Sequence, residues 1–117
     1  MKPDNADTYT QLGLAYEATA RWADVTASFE KSIKLKPDNA FAYYHLGQGY
    51  EKLDDRDSAL TAYREAIRLT PNYALAHYAL GVLQISLGDS DAAMAEYETL
   101  INLNKKLADK LLERIRD

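Results

Sequence analysis

Residues 40–73 read AFAYYHLGQGYEKLDDRDSALTAYREAIRLTPNY, and parts of this stretch recur along the chain at a constant distance. The pentapeptide KPDNA occurs at residues 2–6 and again at 36–40, and the related TPNYA follows at 70–74. Each copy begins 34 residues after the one before it. A fixed period of about 20 to 50 residues is typical of proteins that repeat one small structural unit. The sequence therefore predicts a repeat protein.

The same period runs through the prolines and the apolar residues. All three prolines of the chain keep it, at Pro3, Pro37 and Pro71. Further columns with this spacing are Leu12-Gly13, Leu46-Gly47 and Leu80-Gly81; Phe29, Tyr63 and Tyr97; Ile33, Ile67 and Ile101; and Leu35, Leu69 and Leu103. We expect a single domain over residues 1–117, with repeats at about 6–39, 40–73 and 74–107.

Each repeat contains two helical patterns separated by a short polar turn. In the middle repeat, Tyr43, Leu46 and Tyr50 recur at steps of three and four residues, which is typical of one face of an amphipathic helix. The second pattern ends before Pro71, because proline cannot continue a helix. The repeats therefore predict six helices, at about residues 6–19, 22–35, 40–53, 56–69, 74–87 and 90–103.

The glycine inside every first helix indicates where the paired helices touch. Glycine in a helix interior costs about 1 kcal/mol relative to alanine, so its repetition calls for a packing reason. We expect the two middle helices to approach closely at Gly47 and Ala59, with Tyr50 and Tyr63 filling the space beside them.

Charge and composition narrow the classes of function. The 117 residues carry a net charge of −4 with basic and acidic residues interspersed, so a nucleic-acid partner is not expected. The absence of cysteine excludes a disulfide framework and a thiolate metal site. No apolar run reaches the roughly 20 residues of a membrane span, and the N-terminal MKPDNADTYT lacks the apolar core of a signal peptide. We expect no cofactor and no membrane insertion, with the cytoplasm as the default compartment.

A seventh helix is predicted at residues 108–116, ADKLLERIR. Its apolar side chains fall on one side and its charged ones on the other, as expected of a helix that caps the last repeat. Lys105 stands where the earlier repeats have proline, so the break before this helix is weakly enforced. The alternative is one long helix over residues 94–116 that exchanges its tip with a second molecule.

The first copy of KPDNA lies at the very beginning of the chain. Residues 2–5 resemble the end of a preceding repeat, which suggests that the chain comes from a longer array. The alternative is that the same turn residues simply start the first helix.

The repeats resemble those of the tetratricopeptide repeat family, whose 34-residue pattern includes Leu-Gly, Tyr, Ala, an aromatic residue and Pro. The middle repeat matches it best, at Tyr43, Leu46, Gly47, Tyr50, Ala59, Tyr63, Ala66 and Pro71. The first repeat departs from the pattern at Val25, and the third at Gln84 and Lys105. The resemblance implies an all-α fold, a right-handed α-solenoid of three helix-turn-helix repeats plus one capping helix. It also implies a protein–protein interaction module or scaffold.

The resemblance further implies a concave groove lined by the first helices. The matching residues are Thr10, Gln11, Leu14, Glu17, Phe41, Tyr44, His45, Gln48, Glu51, Leu75, Tyr78, Val82 and Ile85. We expect a partner peptide or helix to place an apolar segment there, with Tyr44 and Tyr78 side by side as anchors. Glu17 and Glu51 favour a neutral or basic residue at the other end of that segment. Alternatively, the C-terminal helix or a neighbouring molecule covers part of this surface.

One ligand class of the family is not expected. Its chaperone-binding members hold a C-terminal carboxylate with Lys, Asn and Arg side chains. The matching positions here are Thr10, Leu14, His45, Leu75 and Ala79. Because these include no cation and no amide, the clamp is missing.

Catalysis within the chain is not expected either. His77 lies in the column of Tyr9 and Tyr43 and is predicted to pack. His45 alone lacks the partners of a zinc site or of a nucleophile–base pair. Two alternatives to a simple peptide receptor stay open: self-assembly through the array ends, giving a homo-oligomer, and docking within a larger multidomain protein or enzyme.

Overall fold

The computed structural model describes residues 5–117, which form seven α-helices and no strand. The helices are α1 (Ala6–Ala18), α2 (Trp22–Leu35), α3 (Ala40–Lys52), α4 (Arg56–Leu69), α5 (Ala74–Ser86), α6 (Ser90–Leu103) and α7 (Lys105–Arg116). The predicted number and order of helices are confirmed, and the fold is an all-α helical repeat fold. Within this part of the chain, no helix has the length and apolar character of a membrane span.

Short polar side chains start several of the helices. Asn5, Asn39, Asp89 and Asn104 each accept a hydrogen bond from a backbone N–H of the first helical turn. Such a cap satisfies a donor that the helix leaves free, and it contributes about 1 kcal/mol. Asn5 therefore starts α1 as Asn39 starts α3, whereas residues 2–4 of the first KPDNA copy lie outside the described residues.

The start of α7 differs from the prediction. The helix begins at Lys105 rather than at residue 108, and the break before it consists of Asn104 alone. The backbone of Asn104 is extended, with φ of −160° and ψ of 98°, so the chain changes direction there. One continuous helix over residues 94–116 is therefore wrong.

The chain divides into two compact units, Met1–Leu69 and Thr70–Asp117. Unit 1 contains α1 to α4, and unit 2 contains α5 to α7. That all three repeats share a single domain stays a prediction.

Unit 1 places an aromatic ring of each second helix against a glycine of the first. A Cβ atom on Gly47 would lie 2.5 Å from the Tyr63 ring, and one on Gly13 would lie 2.6 Å from the Phe29 ring. Both rings are fully buried. The predicted close approach at Gly47 is confirmed, and the same arrangement occurs in the preceding repeat.

The two repeats of unit 1 are joined through a shared core cluster, which consists of Val25, Phe29, Ala42, Leu46 and Ala62. This cluster takes side chains from α2, α3 and α4, so it fixes α3 against both of its neighbours. Because α3 carries most of the predicted groove residues of this unit, the cluster also fixes their positions.

Unit 2 is organised around its C-terminal helix. Leu100, Ala108 and Leu111 form its core cluster and are buried. A Cβ atom on Gly81 would lie 2.7 Å from Leu111, so α7 occupies the space beside this glycine. The helix therefore covers the apolar side of α5 and α6, as predicted for a cap.

Candidate functional site

The predicted groove residues fall on two surfaces, one in each unit. The N-terminal candidate face lies on α1 and α3 and consists of Thr10, Gln11, Leu14, Glu17, Phe41, Tyr44, His45, Gln48 and Glu51. The C-terminal candidate face lies on α5 and consists of Leu75, Tyr78, Val82 and Ile85. Each is described within its own unit.

His45 is the centre of the N-terminal candidate face. Its Nδ1 lies 2.8 Å from a carboxylate oxygen of Glu17, which ties α3 to α1. Its ring stacks on Phe29 at a centroid distance of 5.5 Å and contacts Phe41 at 4.3 Å. The imidazole thus contacts both phenylalanine rings, and its side chain is only 13% exposed.

Phe41 is the apolar part of this face that is open to solvent. It is 41% exposed, although its ring rests on His45. A large ring that is supported from below and exposed above supplies contact area at small entropic cost, as interface anchors do.

Tyr44 differs from the exposed anchor that the sequence predicts. It is only 8% exposed, its ring lies 6.1 Å from that of Tyr63, and its hydroxyl accepts a hydrogen bond from Gln48 Nε2 at 2.9 Å. Burial raises the pKa of the Tyr44 hydroxyl, and the Glu17 and Glu51 carboxylates raise it further. The prediction that Tyr44 is freely exposed is wrong, because α4 supplies a ring that covers it.

Glu51 is fixed from α4. The Tyr63 hydroxyl donates a hydrogen bond to its carboxylate. Burial and this carboxylate together raise the pKa of Tyr63, so the tyrosine remains a donor. Glu51 therefore keeps a defined position, and its remaining lone pairs are available to other donors.

Two of the α1 residues of this face, Thr10 and Leu14, expose less surface to solvent than Phe41 of α3 does. Thr10 Oγ1 lies 2.8 Å from Ser32 Oγ of α2, and Leu14 is half-buried against the core cluster of unit 1. Gln11 is exposed. Thr10 and Leu14 thus serve the packing of α1 as well as the face.

A recess of about 380 Å³ opens at one end of this face. Its lining residues are Glu17, Trp22, Gln48, Glu51 and Lys52. The Lys52 ammonium lies 5.6 Å from the centroid of the Trp22 ring, a cation–π arrangement. Three of these five residues were predicted groove positions.

Trp22 was missed because the family's groove lies on first helices, whereas Trp22 begins the second helix α2. Lys52 is the last residue of the first helix α3, but it is not one of the matching groove positions. A signal was present, since Trp22 shares its column with Arg56 and Ser90. The equivalent positions of the other two repeats are polar, so a tryptophan at this position indicates a local role. In the structure, Trp22 lines the recess.

The C-terminal candidate face is partly covered by α6 and α7. Tyr78, Val82 and Ile85 are half-buried against the core cluster of unit 2. Leu75 is 47% exposed. The alternative in which the C-terminal helix covers part of the predicted surface therefore holds for three of these four residues.

His77 packs as predicted. It is 7% exposed, its Nδ1 lies 2.7 Å from Glu96, and its Nε2 lies 2.7 Å from the carbonyl oxygen of Pro71. Across residues 5–117, no three His, Cys, Asp or Glu side chains are grouped as metal ligands would be.

Comparison with known sequences and structures identifies the family. A tetratricopeptide repeat model matches residues 6–39 and 74–107, and a TPR repeat model matches residues 55–88. No curated protein matches the sequence significantly.

Several solved structures share the fold. A crystal structure of MamA is 29% identical with a TM-score of 0.84, over 98% of this chain and 77% of that one. The TPR2B domain of yeast Sti1, in complex with pHsp70, is 19% identical with a TM-score of 0.87, over 95% of each chain. The second TPR domain of human RPAP3, in complex with an HSP70 peptide, is 21% identical with a TM-score of 0.88, over 96% of this chain and 95% of that one. Since the matched repeats cover more than half of its residues, this chain belongs to the tetratricopeptide repeat family.

Proposed function

We propose that this chain is a non-catalytic interaction module that binds a peptide or helix of a partner protein on the N-terminal candidate face. Tetratricopeptide repeats are interaction modules, and the similar structures from yeast and human are complexes with pHsp70 and with an HSP70 peptide. The net charge of −4 favours a protein partner over a nucleic acid.

The observation that carries this proposal is the exposed ring of Phe41 on its aromatic support. The ring is 41% exposed and contacts His45, and the His45 ring stacks on Phe29. Burying such a ring under a partner removes apolar area from water without ordering a flexible side chain. An apolar segment of the partner is therefore the matching chemistry.

The partner is not a terminal carboxylate of the chaperone type. Thr10 is hydrogen-bonded to Ser32, Leu14 packs in the core, and His45 is paired with Glu17. In unit 2, Leu75 and Ala79 have apolar side chains. None of these positions supplies a lysine, arginine or asparagine to a carboxylate.

A peptide-display selection against the whole chain tests the proposal. We expect enriched peptides to contain a large apolar residue, and Phe41→Ala to weaken their binding by at least about 1 kcal/mol, a typical threshold for interface anchors. Leu35→Ala is the matched control, because Leu35 is also 41% exposed but lies at the end of α2.

Two outcomes would reject the proposed site. One is a selection that enriches no peptide above the background of an unrelated helical protein. The other is a set of peptides whose affinity responds equally to Phe41→Ala and Leu35→Ala, since binding would then not depend on this face.

Self-assembly is the second candidate function, and it has one observation in its favour. One side of α6 exposes two large apolar side chains, Met94 at 39% and Ile101 at 46%, which lie seven residues apart. Light scattering across a concentration series tests it. A species larger than a monomer that Ile101→Glu dissociates supports assembly through α6, and a monomer at every concentration rejects it.

A further inference from the structure

The recess beside Trp22 combines one aromatic ring with an excess of hydrogen-bond acceptors. One carboxylate oxygen of Glu17 is paired with His45 Nδ1, and one carboxylate oxygen of Glu51 accepts a hydrogen bond from the Tyr63 hydroxyl. A carboxylate has about four lone-pair positions, so both retain acceptor capacity. Gln48 uses its amide N–H on Tyr44, which leaves its carbonyl oxygen as an additional acceptor.

The ring in this recess already attracts a cation of the chain itself. The Lys52 ammonium lies 5.6 Å from the Trp22 centroid. Lys52 is exposed, and none of the ion pairs among residues 5–117 involves it. A weakly held surface lysine is easily displaced, because its long side chain gains freedom when it leaves.

We propose that this recess receives an arginine side chain of the bound partner, with the guanidinium against the Trp22 ring and between the Glu17 and Glu51 carboxylates. This inference rests on the proposed function, since it names the residue that enters beside the apolar segment. A guanidinium is planar, stacks on aromatic rings and carries five N–H donors, so it complements a ring surrounded by acceptors.

The alternatives fit the recess less well. An acidic side chain would meet two carboxylates, and an apolar one would leave their lone pairs unsatisfied. A lysine supplies charge but lacks the flat surface that a ring prefers. The volume of about 380 Å³ accommodates the end of one long side chain together with water.

Trp22 is the only tryptophan of the chain, so its fluorescence reports directly on the recess. The probes are two peptides, acetyl-Gly-Leu-Leu-Arg-Gly-amide and the same peptide with citrulline, which keeps the shape of arginine but carries no charge. We expect a saturable change of Trp22 emission with the arginine peptide, and an affinity at least about threefold lower for citrulline, as for the loss of a surface ion pair.

Variants separate recognition from folding. The double variant Glu17→Gln, Glu51→Gln should lower the affinity for the arginine peptide to that of the citrulline peptide. Glu98→Gln, an exposed change on α6, should leave it unchanged. Lys52→Gln should raise the affinity for the arginine peptide by about twofold or more, because the Lys52 ammonium no longer competes with the peptide's guanidinium for the Trp22 ring. A merely structural role of Lys52 would not produce tighter binding, and circular dichroism verifies that each variant is folded.

The proposal is overturned if arginine and citrulline peptides bind equally, if the arginine peptide gives no saturable response, or if the double variant binds as wild type does. These outcomes are distinguishable from failure of the proposed function. If display-selected peptides still require Phe41 while none of these effects appears, the face binds peptides and the arginine assignment alone is wrong.

Discussion

Gly13 and Gly47 are the residues on which the geometry of unit 1 depends most directly. Each lies against a buried ring 16 residues further along the chain, Phe29 or Tyr63, and neither leaves room for a side chain. The helical cost of glycine is therefore offset by the burial of a whole aromatic ring.

Replacing Gly47 with Leu should destabilise the fold by about 1–3 kcal/mol, the usual range for overpacking. A new Cβ alone would lie 2.5 Å from the Tyr63 ring, which is fully buried and has no open direction in which to move. Chemical denaturation measures the effect. Ala27→Leu, which places the same leucine side chain on the exposed side of α2, should change stability little. Equal stability of the two variants would contradict the packing account.

The two hydrogen-bond partners of His77 favour its protonated form, although the side chain is buried. The Pro71 carbonyl can only accept, so His77 Nε2 must donate to it, and Nδ1 then faces Glu96 at 2.7 Å. This pairing is strongest for an imidazolium that donates from both nitrogens. The Glu96 hydrogen bond is the main cause that raises the pKa of His77 above 6.5. Burial acts against it, and the Pro71 bond and the Glu96 charge add to the rise.

Stability should consequently fall as pH rises through the pKa of His77. A histidine with a raised pKa stabilises the folded state while protonated, so its contribution is complete below about pH 6.5 and is lost above the folded pKa. Urea denaturation of wild type and His77→Gln at a series of pH values tests this. The stability difference between them should shrink with increasing pH. A difference that stays constant would show that His77 does not titrate with unfolding.

The sequence predicts the packing and exposure of single side chains only in part. The column that places His77 with Tyr9 and Tyr43 predicts its packing. Its partner Glu96 follows from how α5 and α6 meet, and its partner Pro71 belongs to the turn before α5. Tyr44 was predicted as exposed because its position on α3 faces the groove. Its actual exposure depends on the Tyr63 ring of another helix, which the spacing on α3 does not reveal.

Among the helices, α7 shows best how a local signal and a tertiary contact combine. Asn104 Oδ1 accepts a hydrogen bond from Leu107 N at 3.1 Å and so starts the helix one residue after α6 ends. The lack of proline at Lys105 suggested a weak break. A single extended asparagine that also caps the next helix achieves the same separation.

Leu111 is the residue that anchors α7. It is fully buried and lies against Gly81 of α5, whereas its neighbour Leu112 is only half-buried. Leu111→Ala should cost about 2–5 kcal/mol, because it leaves a cavity at the centre of unit 2. Leu112→Ala is the matched control and should cost clearly less. Equal losses in thermal denaturation would mean that α7 does not dock through Leu111.

For the whole molecule, the 34-residue period was sufficient for the order and approximate bounds of the first six helices, and the apolar pattern of residues 108–116 predicted the seventh. Each helix carries its own apolar stripe, and every turn except residues 19–21 contains a proline, asparagine or aspartate, so these features are local. The candidate site was less predictable. Tyr78, Val82 and Ile85 look like groove residues in the sequence, yet α7 packs against them, a contact between helices far apart in the chain.

Some members of the family bind chaperone tails, but the residues at the matching positions of this chain predict that it does not. Peptides that end in an acidic chaperone tail should bind no better than scrambled versions, because no position of the clamp carries a lysine, arginine or asparagine. Titration calorimetry measures this directly. Low-micromolar binding that disappears when the peptide's terminal carboxylate is amidated would contradict the assignment.

Binding of a partner peptide to the N-terminal candidate face can be observed residue by residue. The measurement is NMR mapping of amide chemical-shift changes, with a display-selected peptide added to the whole ¹⁵N-labelled chain. We predict the largest changes at Phe41, His45, Gln48 and Glu51, with little change at Ala27 and Thr61, which are exposed on α2 and α4. Changes concentrated on α2 and α4, with residues 41–51 unaffected, would contradict binding at this face.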